Sequence, residues 1–332
     1  MNLVTGSTGL LGIHVMIRLL ELNESVRAMV RSNSNRKVVQ DVFAFYNSVH
    51  LYDRIEWVEA DVLDIPALLV AMQGVEKVYH TAAVVSYHKS DRKEMYSINV
   101  EGTANVVNAA MESGVKKFVH VSSIAALNRF KSDPVTEEGE WVDSKENTHY
   151  GIAKHLSEME VWRGGQEGLD VVIVNPGFII GPGDFSRSSA SVFSKLDEGF
   201  SYYPPGGTGF VGAQDVAAVM VQLMNGSITN EGYIVVADNG SMKDLFQNIS
   251  KGIGKPIPTK EAKPWMLQVA RIVEWLKEKF TGKKALVTKE TVKNASLRFY
   301  YSSEKLKSAI DFKFTPIEKC IEDASRFYKS VR

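Results

Sequence analysis

The sequence predicts an α/β protein, built as a doubly wound parallel sheet with a smaller, interleaved C-terminal lobe. Over the first 175 residues, short apolar runs of strand length alternate with helical patterns, and repeated strand–helix–strand units form a parallel sheet with helices on both faces. Beyond Pro176 the chain changes character, because residues 181–209 are rich in Gly, Pro and Ser and residues 241–332 are mostly helical. Crossovers between parallel strands are almost always right-handed, which favours the doubly wound topology.

The strands and helices of the first half follow in order along the chain. Strands are predicted at residues 2–5, 26–30, 55–59, 77–81, 117–122 and 170–175. Helices are predicted at about 10–22, 66–72, 91–113 and 149–164. Two helix boundaries have a specific cause, because Pro66 suits a first helical turn and Gly114 suits the position after a last turn.

A chain of 332 residues is expected to form about two structural units. The change in composition after Pro176 predicts where they divide. Residues 1–177, joined by about 208–240, are expected to form the sheet domain. Residues of about 178–207, joined by 241–332, are expected to form the second lobe. The elements predicted within these regions are a short helix near 191–197, a helix at 214–224 and a strand at 233–237.

Charge and cysteine content exclude several classes of protein. The 39 Lys and Arg cancel the 39 Asp and Glu, which argues against a nucleic-acid partner or an anionic membrane partner. A single cysteine, Cys320, rules out a disulfide framework and a Cys-cluster metal site. The histidines show no metal-ligand spacing, so no metal is expected. Without about 20 consecutive apolar residues anywhere, we expect a soluble cytoplasmic protein.

One segment leaves an alternative open. Residues 264–280 alternate apolar and charged side chains in the pattern of an amphipathic helix. We expect this helix to pack on its own lobe. The alternative is a helix that lies on a membrane surface or against a partner protein.

A glycine-rich turn, Thr5-Gly6-Ser7-Thr8-Gly9-Leu10-Leu11-Gly12, separates the first strand from the first helix. Glycines let the backbone turn tightly and approach a pyrophosphate, whose charge a helix N-terminus stabilises. The spacing Gly-x-x-Gly-x-x-Gly differs from the usual Gly-x-Gly-x-x-Gly of dinucleotide sites. Its place between a strand and a helix nevertheless predicts a phosphate-binding loop; a purely structural turn is the alternative.

The residue at the end of the second strand predicts which dinucleotide is used. In NAD sites an acidic residue about 20 positions after the glycine turn accepts the ribose 2′-hydroxyl. Here the position nineteen residues after Gly12 is Arg31, and no carboxylate occupies the strand end. A guanidinium suits a 2′-phosphate through bidentate hydrogen bonds, so NADP is favoured over NAD. If Arg31 only belongs to a solvated basic loop, the sequence does not distinguish NADP from NAD.

A tyrosine and a lysine four residues apart predict acid–base chemistry. Tyr150 and Lys154 fall on one face of the helix at 149–164. A nearby ammonium favours the phenolate, so such a pair can donate or remove a proton at an alcohol or carbonyl oxygen. The preceding strand ends in Ser122-Ser123, which places a hydroxyl at the carboxyl edge of the sheet. Ser123 is favoured over Ser122.

These motifs together resemble the extended branch of the short-chain dehydrogenase/reductase superfamily, the NAD-dependent epimerase/dehydratase family, over essentially the whole chain. The resemblance implies a Rossmann dinucleotide-binding domain and a substrate-binding lobe. It implies Tyr150 as acid/base, Lys154 as the residue that binds the nicotinamide ribose and tunes Tyr150, and Ser123 as the group that polarises the substrate oxygen. For Asn99, a catalytic relay and a helix-stabilising amide are equally expected.

The resemblance also implies the residues that contact the cofactor. Asp61 and Val62 correspond to the adenine edge, and Thr81, Ala82 and Ala83 to the cofactor backbone. The complete set of expected cofactor-binding residues is Gly6, Thr8, Gly9, Leu10, Leu11, Gly12, Arg31, Asp61, Val62, Thr81, Ala82, Ala83, Tyr150, Lys154, Pro176 and Gly177. Loops around the same edge offer candidate pocket walls, namely Val84, Phe130, Phe178, Phe185 and Tyr202.

Within this family the residues after Ser123 favour a reductase. Ile124-Ala125-Ala126 lacks the Asp-Glu pair usual in the dehydratases, and Ala126-Leu127-Asn128 differs from the Val-Tyr-Gly common in the epimerases. Segments 26–31 and 300–314 look like the dihydroflavonol-4-reductase-like group, which includes 3β-hydroxysteroid dehydrogenase relatives. The resemblance therefore implies hydride transfer between NADP(H) and a carbonyl or secondary alcohol on a fairly apolar small molecule.

Two other functions and an assembly state remain as expectations. A nucleotide-sugar epimerase would need cations for a diphosphate, for which Arg187, Arg271 and Arg298 are available. A non-catalytic NAD(P)-sensing protein is the other alternative, although such relatives often lose the tyrosine or lysine. Many relatives form homodimers through the two helices predicted at 91–113 and 149–164, so we expect a homodimer.

Overall fold

A computed structural model describes residues 1–282, 284–285 and 287–332. Seven strands form its central sheet: β1 (Asn2–Thr5), β2 (Val26–Val30), β3 (Ile55–Glu59), β4 (Lys77–His80), β5 (Lys117–Val121), β6 (Asp170–Pro176) and β10 (Glu231–Val235). Their order is β10-β6-β5-β4-β1-β2-β3, and every pair is parallel. The predicted doubly wound parallel sheet is confirmed.

Helices cover both faces of this sheet because the strands alternate their apolar side chains. Leu3 and Phe118 belong to the core on one face, whereas Val4 and Val119 belong to the core on the other. The helices between the strands are α1 (Leu10–Glu21), α2 (Lys37–Phe45), α3 (Val49–Tyr52), α4 (Ile65–Ala71), α5 (Arg92–Tyr96), α6 (Gly102–Glu112), α7 (His149–Gln166) and α9 (Ala213–Asn225).

A second group of elements, outside the central sheet, contains two small sheets and several helices. Its strands are β7 (Phe178–Ile180), β8 (Tyr202–Tyr203), β9 (Gly207–Gly212), β11 (Asp238–Ser241) and β12 (Lys260–Glu261). They pair as β11-β9-β7 and β12-β8. Its helices are α8 (Ser191–Asp197), α10 (Met242–Ile253), α11 (Pro264–Thr281), α12 (Lys289–Asn294), α13 (Glu304–Ala309) and α14 (Ile317–Ser330).

The predicted helix at 91–113 has a different internal structure. A 3-10 turn at Lys89–Asp91 and α5 lead into a π-helical turn at Ser97–Glu101, and α6 follows it. Gly114 has a φ of +70°, as expected for a residue that ends a helix. Among the described residues, no helix has the length and apolarity needed to cross a membrane.

Candidate active site

The candidate site lies at the carboxyl edge of the central sheet, where several loops leave neighbouring strands. β4 lies between β1 and β5, and β6 pairs with β5. The glycine turn after β1, Thr81–Ala83 after β4 and Ser122–Ser123 after β5 therefore leave from one edge. Pro176 ends β6, and Gly177 follows it in the same row. The topology thus places the predicted site segments on adjacent strands.

The glycine turn packs directly against the end of β4. Gly6 has a φ of +62°, and a Cβ there would lie 2.7 Å from the backbone nitrogen of Ala82. Thr81 Oγ1 donates a hydrogen bond to the carbonyl oxygen of Thr5 at 2.7 Å. A Cβ on Gly12 would lie 2.4 Å from the carbonyl oxygen of Gly6. Both glycines are therefore required by the shape of the turn.

The donors around the turn suit a pyrophosphate. Gly9 caps α1 without a side-chain hydrogen bond, so the N–H groups of the first helical turn, which begins at Leu10 and Leu11, can bind an anion. Arg187 Nη2 donates to the carbonyl oxygen of Thr8 at 3.2 Å. No local pattern indicates Arg187, because it lies 179 positions from Thr8 in sequence. A helix N-terminus beside a guanidinium fits a dinucleotide phosphate.

A chain of buried hydrogen bonds runs beneath the turn. Thr5 Oγ1 lies 2.8 Å from His80 Nδ1, and His80 Nε2 lies 3.0 Å from Thr103 Oγ1. Thr103 Oγ1 donates to the carbonyl oxygen of Asn99 at 2.6 Å. Burial lowers the pKa of His80 to about 3, so the imidazole is neutral and donates through Nε2. This chain connects β1 and β4 to the π-helical turn.

Asn99 uses its amide to hold the loop after β4. Its side chain is buried; Nδ2 donates to the carbonyl oxygen of Val84 at 2.9 Å, and Oδ1 accepts the Val84 N–H at 2.8 Å. The Asn99 amide thus anchors the loop after β4. It does not stabilise its own helix, which was one of the two expected roles. A relay role for Asn99 stays a prediction.

The hydroxyl groups of Ser123 and Tyr150 are near neighbours. Ser123 Oγ accepts the Ala125 N–H at 3.1 Å, which leaves its proton to be donated, and its hydroxyl lowers the pKa of Tyr150. Gly151 permits this approach, because a Cβ there would lie 2.5 Å from the carbonyl oxygen of Ala125. No pattern in the sequence indicated the requirement at Gly151.

The ionisation of Tyr150 differs from the sequence prediction. Burial, with a smaller contribution from Tyr87, raises the pKa of Tyr150 above its ordinary value, and the hydroxyl of Ser123 opposes that rise. The predicted lowering by the Lys154 ammonium is therefore wrong. Its physical reason is that removal of the phenol from water disfavours the charged form. At neutral pH Tyr150 is a protonated phenol.

Lys154 is buried on the same helix, one turn after Tyr150. Its Nζ donates to the carbonyl oxygen of Val121 at 2.6 Å and lies 3.5 Å from His120 Nε2. Burial lowers the pKa of Lys154 to about 8, and the nearby carboxylate of Glu158 opposes this. Burial also holds the pKa of His120 well below its ordinary value. The ammonium is thus held by a carbonyl and a neutral imidazole.

Glu158, which was not predicted, and Asn175 complete the site. Asn175 Nδ2 donates to Glu158 Oε1 at 2.6 Å and to the carbonyl oxygen of Ser123 at 3.2 Å. Burial raises the pKa of Glu158 to about 7, opposed by the hydroxyl of Ser122, by Asn175 and by Lys154. Ser122 thus faces Glu158, whereas Ser123 faces Tyr150. A cavity of about 330 Å³ is lined by Glu158 and Asn175.

Residues predicted for the adenosine side lie after β2 and β3. Arg31 is exposed, and its backbone N–H donates to Ser34 Oγ at 2.9 Å. The Asp61 carboxylate accepts the N–H of Leu63 at 2.9 Å. Val62 is buried beneath α6, where a Cβ on Gly102 would lie 2.6 Å from its Cγ2. Among Arg31, Asp61 and Val62, Arg31 provides an exposed positive charge. It follows β2, the strand that pairs with β1.

Some predicted residues lie away from the site. Phe185 was expected to form a pocket wall, but it is buried in the core, where its ring centroid is 5.2 Å from that of Phe193 and 4.8 Å from that of Tyr328. The prediction is wrong because aromatic rings of α8 and α14 surround it. The three arginines proposed for a diphosphate belong to different regions: Arg187 to the glycine turn, Arg271 to α11, and Arg298 to a bridge with Gly207.

Within the described ranges, no group of three or more His, Cys, Asp or Glu residues could hold a metal ion. The catalytic candidates are a phenol, an ammonium, a hydroxyl and a buried carboxylate. The phenol, the ammonium and the hydroxyl can donate hydrogen bonds to a carbonyl oxygen, and the phenol can deliver a proton to it.

Comparisons with known proteins identify the family of the chain. The sequence model described as the NAD dependent epimerase/dehydratase family matches residues 2–231. Sterol demethylase protein B of Methylococcus capsulatus is 31% identical over 84% of this chain and 83% of its own length. A putative dihydroflavonol 4-reductase of Synechocystis is 28% identical over 98% and 94%. The crystal structure of gox2253 superposes with a TM-score of 0.81 at 30% identity, over 99% of this chain and 98% of that one.

Proposed function

The chain belongs to the NAD dependent epimerase/dehydratase family, and we propose that it uses NADP(H) to reduce a carbonyl, or to oxidise a secondary alcohol, on a small and fairly apolar substrate. Relatives named as dihydroflavonol 4-reductase, cinnamoyl-CoA reductase and vestitone reductase make it an NAD(P)-dependent oxidoreductase. The observation that carries the proposed chemistry is the proximity of the hydroxyls of Ser123 and Tyr150 beside the buried Lys154.

The residues around the glycine turn fit a dinucleotide. The close-packed glycines, the free N-terminus of α1 and the guanidinium of Arg187 would hold the pyrophosphate. Thr81–Ala83 would border its backbone, Asp61 and Val62 its adenine end, and Lys154 its nicotinamide ribose. When bound, a nicotinamide dinucleotide supplies or accepts the hydride.

Tyr150 and Ser123 would act on the substrate oxygen. The raised pKa of Tyr150 keeps the phenol protonated at neutral pH, which suits a proton donor to the oxygen of a carbonyl under reduction. Ser123 would donate a hydrogen bond to the same oxygen as negative charge develops there. The reductive direction is thus favoured by the charge state of the site.

The cofactor preference rests on Arg31. It is exposed at the end of β2, next to β1 and its glycine turn, and no carboxylate stands there to accept a ribose 2′-hydroxyl. A guanidinium in this position supports recognition of a 2′-phosphate. We therefore propose NADP(H) as the preferred cofactor.

An activity panel tests the proposal. NADPH and NADH are each incubated with aldehydes, ketones and UDP-sugars, while absorbance at the nicotinamide band and epimer formation are followed. We expect NADPH consumption with apolar carbonyls, a higher rate with NADPH than with NADH, and no epimer. Tyr150→Phe should reduce kcat by about 100-fold or more, because general acid catalysis contributes that much.

The matched control is Tyr52→Phe, which removes a phenol on α3, away from the site loops; it should keep the native rate. Full turnover by Tyr150→Phe on a verified substrate would show that the proton comes from another group. Epimer formation without NADPH consumption would replace the reductase proposal with the epimerase.

A further inference from the structure

Helix α11 carries most of its large apolar residues on the outside of the molecule. No residue of the helix is buried, and Trp265 and Phe280, near its two ends, are 63% and 82% exposed. Its half-buried side carries the apolar Met266, Leu267 and Ala270 together with the charged Arg271, Glu274 and Glu278. An ordinary surface helix directs most of its large apolar residues inward. The packing of this helix therefore leaves most of its large apolar side chains exposed.

Six of the seven exposed large apolar residues of the helix form a continuous stripe, and the seventh, Trp275, lies beside it. At about 100° per residue, the six fall within roughly 100° of the helix circumference and extend for about 22 Å along its axis. We call this set the outer stripe, and its members are Trp265, Val269, Ile272, Val273, Leu276 and Phe280. Six large side chains in one exposed row are more than the scattered apolar residues of an ordinary surface.

The sequence segment that contains the outer stripe is rich in positive charge. Residues 251–290 contain ten Lys or Arg and four Glu, although the whole chain has equal numbers of both signs. Lys277 and Lys279 flank the stripe on the helix itself and are exposed. An apolar stripe with lysines at its borders and aromatic residues at its ends is complementary to lipid tails below a layer of anionic headgroups.

We propose that α11 docks the protein on a bilayer surface that carries anionic lipids, lying in the plane of the interface with the outer stripe inserted. The helix does not qualify as a membrane span, so the contact is peripheral. A second copy of the chain is the other occupant that such a stripe could take, and the vesicle experiment below distinguishes the two. The sequence left open whether residues 264–280 pack on their own lobe or lie on a membrane surface or a partner protein. This proposal favours the membrane surface.

The docked helix would lie next to the candidate site. Glu278 accepts a hydrogen bond from His88 Nε2 at 3.0 Å, and the same loop carries Tyr87, whose ring centroid is 6.0 Å from that of Tyr150. A bilayer on the outer stripe would thus lie about one helix diameter from the loop that carries Tyr87. This consequence rests on the proposed function, because it assigns the membrane as the source of an apolar substrate.

Vesicle flotation tests the docking directly. The full chain is mixed with vesicles of phosphatidylcholine alone, or with about one third phosphatidylglycerol, and floated through a density gradient. We expect flotation with the anionic vesicles and a blue shift of Trp fluorescence as Trp265 enters the interface. High salt should reduce the bound fraction, since exposed charges are screened.

A matched pair of variants identifies the surface. Ile272→Glu/Leu276→Glu should bind the anionic vesicles about tenfold more weakly, whereas Val49→Glu/Val70→Glu, which adds the same charge at exposed positions on α3 and α4, should bind like the native chain. Circular dichroism verifies that both fold, as expected for substitutions at exposed sites.

Three outcomes would overturn the proposal: no flotation of the native chain, equal flotation of the outer-stripe variant, or loss of a dimer in that variant without vesicle binding by the native chain. The last outcome would assign the stripe to a second copy. Flotation needs no substrate, so it is independent of the carbonyl panel, which is run without vesicles.

Discussion

At the scale of single residues, Lys154 and Glu158 are the unusual pair of this site. They lie one turn apart on α7, both are buried, and burial moves the pKa of Lys154 down to about 8 and that of Glu158 up to about 7. Each charge opposes the shift of the other. The carboxylate thus helps Lys154 to stay cationic, the form that its proposed role at the nicotinamide ribose requires.

Glu158→Gln should move the alkaline limit of activity to lower pH. Activity that needs cationic Lys154 is lost as the pH rises through its pKa of about 8. Removal of the carboxylate lowers this pKa further, because an anion no longer stabilises the ammonium. We expect the alkaline limb of kcat/KM to shift down by about one pH unit, measured between pH 5 and 10.

The matched control is Glu160→Gln on the same helix, whose carboxylate pairs with Arg163 at 3.0 Å; its pH profile should be native. An unchanged limb in Glu158→Gln would mean that the carboxylate does not support the charge of Lys154.

The sequence predicts the residues of this site whose spacing is local. Tyr150 and Lys154 are four positions apart on one helix, and this spacing alone predicts that they share a face. Glu158 continues the same spacing, but its importance depends on Asn175, which reaches it from β6. Arg187 reaches the glycine turn from the second lobe. Contacts between distant segments depend on tertiary packing and have no local signal.

At the scale of elements, the turn between β1 and α1 is the most constrained part of the fold. We expect Gly12→Ala to raise the Kd for NADPH by about tenfold or more and to lower the free energy of unfolding by about 1–3 kcal/mol. Its Cβ would lie 2.4 Å from the carbonyl oxygen of Gly6, so the turn would have to move. Fluorescence titration with NADPH and urea unfolding measure the two effects.

Gly232→Ala is the control for this change. Its Cβ would meet no atom nearer than 3.6 Å, from the ring of Trp162, so both quantities should stay native. Native NADPH affinity in Gly12→Ala would show that the turn does not shape the cofactor site.

Several long elements were predicted well, whereas helix α2 (Lys37–Phe45) and the short or irregular elements were not. Helix α1 and strands β1, β2 and β3 lie where the pattern places them. The π-helical turn at Ser97–Glu101 was missed, since it is held by the Asn99 contact with Val84 and not by its own composition. Short elements such as α3 and β8 contain too few residues to show a period.

At the scale of the whole molecule, assembly is the open expectation that can be tested most directly. Leu156 and Met159 are 39% and 43% exposed on α7, one of the two helices expected at a homodimer contact. Sedimentation equilibrium should give twice the chain mass of 36.9 kDa. Leu156→Glu should give a single chain, because a charge would be buried in an apolar contact.

Leu63→Glu, at a 45% exposed position outside α7, should leave the dimer intact. A native mass of 36.9 kDa would instead identify a monomer and would leave the exposed face of α7 without an assembly role.

The whole fold was predictable where strand and helix alternate and less so where they do not. Alternation over the first half determines a parallel sheet and its covering helices. The second lobe combines short strands with helices of mixed direction, and its aromatic residues Phe185 and Phe193 join the core shared with α1 and α9. The proposed boundary of the two units, at about residue 177, therefore stays a prediction.

The contact of Gly6 with the backbone of Ala82 limits where mutagenesis can redesign nicotinamide selectivity. Randomised codons within that turn would mostly yield unfolded clones, since any β-carbon at Gly6 collides with main-chain atoms that no rotamer change can displace. Diversity is better placed at Arg31 and the exposed positions after it, where side chains face solvent and the scaffold tolerates exchange. A selection for an altered preference between NAD and NADP should therefore recover substitutions at Arg31 and the residues that follow β2.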